Sequence, residues 1–209
     1  MLASSIGRGH GAGVYCAGIA VIASNLIVGN TNSTSAWNYG GGIAVASSGS
    51  ASVWNNTITG NVVTGGNWRY GGGVFVDSSA SATLRGNLVV GNGGAGIYRA
   101  SGGSGVVSSD HDDVWNNTPD YTNVTPGPNN LSVDPAFVSG TDFHLAATSP
   151  CIDAIPNGHL TAAVAMDIDE DPRQIDGDLD GGATNGARLD LGADEYTSVR
   201  LAVLGTRQV

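Results

Sequence analysis

The chain has no lysine: its 8 basic residues are all arginine, set against 18 acids for a net charge of -10. That deficit of positive charge argues against nucleic acid or another polyanion as a partner. Charged residues of any sign make up only 12% of the 209 residues, while glycine alone numbers 33, a composition that excludes coiled coils and ordinary helical bundles. No apolar run approaches the roughly 18 residues of a membrane span, so no direct span is expected. Only two cysteines occur, Cys16 and Cys151, and positions so far apart establish no disulfide; two buried thiols are the expectation. Met1 to Gly13 shows no basic segment followed by an apolar one, so no signal peptide is visible.

What charge there is falls unevenly. Residues 1–100 hold four arginines and one acid, Asp77, whereas 101–209 hold four arginines and 17 acids. The neutral half is repetitive. Asn25-Leu-Ile-Val-Gly-Asn30, Asn56-Thr-Ile-Thr-Gly-Asn61 and Asn87-Leu-Val-Val-Gly-Asn92 recur at intervals of 31, and Asn117 follows 30 residues later. Glycine followed by alternating apolar residues precedes each copy: Gly13-Val-Tyr, Gly42-Ile-Ala-Val, Gly73-Val-Phe-Val and Gly96-Ile-Tyr. Period-two alternation means strands, and the gaps between them are too short for crossover helices. Each strand must then pair in parallel with its copy one rung away, three strands to the turn, in a solenoid of about five to seven rungs.

Stacked copies bring like residues together. Asn25, Asn56, Asn87 and Asn117 are expected to form one amide ladder at a corner where asparagine tolerates left-handed backbone. The ladder accounts for these asparagines better than glycosylation does, although Asn55-Asn-Thr57 and Asn116-Asn-Thr118 are acceptor sequences. Insertions at Thr31–Tyr39 and Val62–Tyr70 place Trp37 with Trp68 and Tyr39 with Tyr70, again 31 apart. These rings are expected to stack beside the first strand, where Val14, Ile43, Val74 and Ile97 point inward and Tyr15, Ala44, Phe75 and Tyr98 point outward. Trp37, Tyr39, Trp68, Tyr70, Phe75 and Tyr98 are the candidate ligand-binding residues, because aromatic faces stack on sugar rings; packing within the protein is the competing role. Trp54 and Trp115 form a second tryptophan pair before an asparagine corner.

The Gly-Gly-Gly-Val/Ile rungs with Asn-x-Ile/Val-x-Gly-Asn resemble the right-handed parallel β-helix repeats of the pectate-lyase-like superfamily. Asp134-Pro-Ala-Phe137, Asp142-Phe-His-Leu145, Ser149-Pro-Cys-Ile-Asp153, Asp171-Pro-Arg173 and Asp190-Leu-Gly-Ala-Asp-Glu195 resemble, in that order, the tail of bacterial choice-of-anchor Q proteins. The resemblance implies an all-β, single-stranded right-handed parallel β-helix with an irregular C-terminal cap. Rungs would occupy 1–118, the last rungs and an acidic cap 119–196 of the same domain, and a tail 197–209. It also implies an extracellular or cell-surface location; with the aromatic column, the expected function is a non-catalytic module that binds extracellular polysaccharide or is adhesive, and the rival is a polysaccharide lyase or glycoside hydrolase.

Chemistry has few candidates. Enzymes of the superfamily use a basic residue and often calcium held by carboxylates on the outer face of the first strand, and here that face has neither. Arg99, Asp110, His111, Asp112 and Asp113 are the one cluster with catalytic residue types; a polar turn is the alternative, and the expected set of catalytic residues is empty. Asp176-Gly-Asp178-Leu-Asp180-Gly181 alternates oxygen ligands as a structural Ca²⁺ loop does, but Ala187 stands where an EF-hand carries its bidentate glutamate. Asp176, Asp178 and Asp180 are therefore metal candidates outside that motif.

Overall fold

The computed structural model describes residues 8–10, 13–33, 37–65, 68–156, 165–173 and 188–197. Its elements, in chain order, are β1 (Arg8–His10), β2 (Val14–Cys16), β3 (Ile19–Ala23), β4 (Leu26–Val28), β5 (Thr31–Ser33), β6 (Trp37–Tyr39), β7 (Ile43–Val45), β8 (Ser50–Trp54), β9 (Thr57–Thr59), β10 (Val62–Thr64), β11 (Trp68–Tyr70), β12 (Val74–Val76), β13 (Ser81–Arg85), β14 (Leu88–Val90), β15 (Ile97–Arg99), β16 (Val107–Asp110), β17 (Asp113–Trp115) and β18 (Tyr121–Thr122). They form a parallel β-helix with three long sheets, in the orders β18-β15-β12-β7-β2, β16-β13-β8-β3 and β17-β14-β9-β4. Four rungs are complete and β18 begins a fifth, so the described solenoid is at the short end of the expected range.

The two insertions build strands of their own. β5 pairs with β10, and β1, β6 and β11 make a three-stranded parallel sheet that projects beside the first long sheet. A rung with an insertion thus carries five strands. The third rung omits them: Gly93 crosses directly over Val62 as a single bridge. Registers repeat without slippage, Val14 beside Ile43, Ile43 beside Val74 and Val74 beside Ile97. Val45, Val53 and Ile58, one from each sheet, are fully enclosed, and the inner faces of all three sheets meet in one apolar cluster. Gly73 precedes β12 because the rungs are tightly apposed: a Cβ there would stand 2.5 Å from Gly96 O of the next rung.

Polar ladders close the corners, but their membership differs from the sequence expectation. Backbone and side-chain N–H of Asn25 donate to Asn56 Oδ1, those of Asn56 to Asn87 Oδ1, and those of Asn87 to Asp112 Oδ1 at 2.8 Å each. Asn117 belongs to a second ladder, Asn30–Asn61–Asn92–Asn117, which ends on Asp120 Oδ1. Interior amides also reach carbonyls of the rung before, such as Asn87 Nδ2 to Val53 O at 2.8 Å. Every rung donates toward the C-terminal end, so the last member needs only an acceptor, and a carboxylate is a pure acceptor.

The left-handed backbone is also displaced by one residue from expectation. Positive φ falls on Ser24, Asn55, Gly86 and His111, each immediately before a member of the first ladder. Gly29, Gly60, Gly91 and Asn116 do the same before the second. The chain turns at the preceding residue, and the ladder asparagine is selected for its amide. Trp54 and Trp115 fall in different sheets, opposite Arg85 and Val90 respectively, and so do not form a column. Asn55 is buried and donates to Asp190 O, which leaves that sequon no room for a glycan.

After β18 the chain covers the end of the solenoid, with Tyr121 and Val124 packed on the apolar cluster and Leu131 bridging Asp113. Beyond that it does more than cap. Leu145, Cys151, Ile155, Leu189 and Leu191 pack on Leu88 and Val90, the outward residues of β14, in a second apolar cluster. Gly192 N donates to Gly86 O, Ala193 N to Thr57 Oγ1, and Ser24 Oγ to Met166 O, so the segment runs back along the side of the solenoid to its first rung. Cys16 and Cys151 are both buried free thiols.

Candidate functional site

Two regions carry the candidate chemistry, the aromatic flank and the acidic C-terminal region. On the flank, Tyr15, Ala44, Phe75 and Tyr98 are aligned across the first sheet. Tyr39 and Tyr70, from β6 and β11, stack at 5.7 Å and 12°. The two columns then interlock, Tyr39 against Phe75 at 4.6 Å and Tyr70 against Tyr98 at 4.9 Å, with Phe75 and Tyr98 stacked at 5.8 Å. Phe75, expected to be exposed, is only 2% accessible because the projecting sheet covers it. It is a packing residue. Tyr39, Tyr70 and Tyr98 remain half-buried, and burial, helped by Tyr70 and Tyr39, raises the Tyr98 phenol pKa. Trp37 and Trp68 are paired through their backbones, but their side chains lie outside the described residues.

The third rung's missing insertion leaves the flank stepped. β11 is the last strand of its sheet, and Tyr98 is followed in the next rung by Thr122. The tyrosine column therefore ends at a ledge.

The sequence also singled out Arg99 and Asp110 to Asp113, and the structure gives each a local partner. Arg99 donates from Nε to Gly105 O and from Nη2 to Gly103 O, pinning the loop that follows its own strand. Asp110 pairs with Arg85 at 3.6 Å and His111 Nδ1 at 3.0 Å and accepts from Asn129; although burial opposes it, the Asn129 bond and the charges of His111 and Arg85 hold its carboxyl below the usual range. His111 is the left-handed corner residue. Asp112 is fully buried at the end of the first ladder, and burial pushes its pKa up to about 6 against the bonds from Asn87 and Ser109. Burial likewise lifts Asp113, which accepts from Val133 N, to about 7; its Oδ2 has no hydrogen-bond partner among the described residues. Burial thus favours the neutral form of each carboxyl.

Asp176, Asp178 and Asp180 lie outside the described residues. Superfamily calcium on the outer face of the first strand finds no carboxylate there, since that column is Tyr15, Ala44, Phe75 and Tyr98.

The C-terminal region instead assembles groups that the sequence reading quoted without assigning chemistry. Arg173 is fully buried, 3.6 Å from Glu195, and donates to Asp194 O. Glu195 accepts from Asp190 N, and Asp190 accepts from Asp153 N and Tyr196 N. Burial raises the pKa of Asp190 against these bonds and the Arg173 charge. At the outer end of this network Asp142, His144, Asp169 and Asp194 come together beside a pocket of about 300 Å³. His144 Nδ1 contacts Asp142 Oδ1, and its Nε2 is 3.0 Å from Asp169 Oδ2 and 4.0 Å from Asp194 Oδ1. The Asp142 bond, over the opposing effect of burial, raises the His144 pKa, with Asp194 and Asp169 adding to it. The sequence signals are Asp142-Phe-His144, an acid two residues from one of four histidines, and the close-set acids Asp167, Asp169, Glu170 and Asp171, where packed carboxylates repel unless a cation or solvent intervenes.

A sequence model described as "Right handed beta helix region" matches residues 4–133, well over half of the chain and ending where the rungs end. The chain belongs to the right-handed β-helix family. No curated protein and no solved structure matches it. Family membership accounts for the rungs, and the acidic segment lying along them falls outside the matched span.

Proposed function

We propose that this right-handed β-helix is a non-catalytic extracellular or cell-surface module that holds an extended polysaccharide along its tyrosine flank. The observation that carries this reading is the half-buried run of Tyr39, Tyr70 and Tyr98, drawn from two interlocking columns whose spacing the rungs fix and stiffened by Phe75. Sugar rings present C–H faces that stack on such phenol rings, and a pre-formed ledge binds with little ordering cost. The choice-of-anchor resemblance of the tail supports display at a cell surface. A structural Ca²⁺ at Asp176, Asp178 and Asp180 belongs to the same proposal. Against a lyase or hydrolase role, Arg99 and Asp110 to Asp113 are committed to loop, ladder and cap bonds.

Retention on a panel of acidic and neutral polysaccharides, with parallel assays for unsaturated and reducing ends, tests the reading. Retention without product is expected, and Tyr98→Ala should weaken it about tenfold, the equivalent of one lost aromatic contact of about 1.4 kcal/mol. New ends would establish the enzyme instead, and equal retention by Tyr98→Ala and Tyr70→Ala would remove the flank as the binding surface.

A further inference from the structure

We propose that His144, Asp169 and Asp194 form a binding site for a divalent transition cation of the Zn²⁺ type, with Asp142 as its positioning residue. The inference is independent of the carbohydrate reading. One imidazole nitrogen and one oxygen from each of the two aspartates lie within 4.8 Å of one another. Bonds of about 2.1 Å to a central ion require movements of about 1 Å or less, available to Asp169, whose side chain is 38% exposed.

The supporting shell is of the kind metal sites use. Asp142 holds His144 through Nδ1, which orients the ring so that Nε2 faces the two other carboxylates, the carboxylate–histidine–metal arrangement. Asp169 sits on a turn whose backbone is tied by Asp167 Oδ1, which accepts from Asp169 N and Asp171 N at 2.8 Å each. Asp167 Oδ2 accepts from Glu195 N, so the turn is fastened to the neighbour of Asp194. Both ligand-bearing segments are thereby fixed to each other before any ion arrives.

Asp194 supplies the separate observation. It is only 4% exposed and uses Oδ2 to accept from Leu145 N at 3.1 Å, while Oδ1 accepts no hydrogen bond among the described residues and lies 4.0 Å from Nε2, too far for a hydrogen bond. That oxygen faces the His144 ring beside the pocket, where a cation can reach it. Asp194 also lines the pocket, which leaves space for water or a ligand atom in the remaining coordination positions. The donor set separates metals: imidazole with two carboxylates suits Zn²⁺ and its neighbours, whereas Ca²⁺ takes six to eight oxygens and gains nothing from a nitrogen.

Titration calorimetry of the full chain with ZnCl₂, MnCl₂ and CaCl₂ tests the site. One Zn²⁺ is expected to bind, more tightly than Ca²⁺, with His144→Gln weakening it at least tenfold and Asp142→Asn about tenfold, as loss of a supporting carboxylate does. Co²⁺ substitution provides a second readout: a visible ligand-field band that His144→Gln abolishes. The triple variant Asp176→Asn, Asp178→Asn, Asp180→Asn should leave Zn²⁺ binding unchanged. Because Asp194→Asn disturbs a buried bond to Leu145, His144→Gln at the half-buried ring carries the decision. No Zn²⁺ binding, Zn²⁺ binding as tight in His144→Gln as in the parent, or loss of binding in the 176–180 variant alone, would overturn the assignment.

Discussion

The rungs and the C-terminal segment bury polar groups by opposite means. In the rungs the buried polar side chains are mostly asparagines, neutral and self-complementary, and those within the ladders, such as Asn56 and Asn61, donate to their own copies. In the segment at 131–197 they are Asp153, Asp167, Asp190, Asp194 and Glu195, gathered around the one buried cation among the described residues, Arg173. A repeat solves the problem of satisfying a buried amide once and then copies the answer. A non-repeating strap must match each carboxylate individually with backbone N–H or the guanidinium, and residual charge accumulates. The contrast locates chemistry: buried carboxyls with raised pKa occur where the repeat stops, at the ladder end Asp112, the cap residue Asp113 and the strap.

The comparison can be broken at several points. Arg173→Met should have the largest effect, destabilising by about 4 kcal/mol, because it leaves the buried Glu195 carboxylate without its counter-charge; denaturant unfolding measures it, and a loss below about 1 kcal/mol would mean the strap does not depend on that pair. Asn87→Ala comes next, at about 3 kcal/mol, since it takes the Nδ2 donor from Asp112 Oδ1, leaving only the backbone N–H there, and removes the oxygen that accepts from Asn56 N–H and Nδ2. Asn25→Ala should cost under about 1 kcal/mol by the same measurement, because Asn25 is exposed and no member of its ladder donates to it. Equal losses at 25 and 87 would contradict a ladder whose strength lies in its enclosed middle.

Much of the solenoid is legible in the sequence because stacking turns a 31-residue period directly into register: Asn25, Asn56 and Asn87 align, as do Tyr39 and Tyr70. The period fails where the rung shortens to 25, and there an acid replaces the asparagine, so Asp112 was read as part of a polar turn and Asn117 assigned to its column. Phe75 was read as exposed because strand alternation reports which side of a sheet a residue faces and is silent about what packs on that side. The His144 cluster was invisible for a related reason. Its members come from 142, 144, 169 and 194, joined by strap turns that have no period, and only the fold brings them together.

The most direct test of the contrast is stability against pH. Asp112, Asp113 and Asp190 have pKa values raised in the folded chain to about 6, 7 and 7 from near 4. Their neutral forms favour the fold, so the stabilisation is complete below about pH 4 and is lost as pH rises through 6 to 7. Unfolding in guanidinium at pH 5 and pH 8 should therefore show a loss of several kcal/mol at the higher pH, ~6 from the three shifts together, with Asp112→Asn, which restores the ladder's own residue, recovering about 1 kcal/mol of it. Stability that is flat or rises from pH 5 to pH 8, or an Asp112→Asn variant that is less stable than its parent at pH 8, would contradict neutral rungs closed by buried acids.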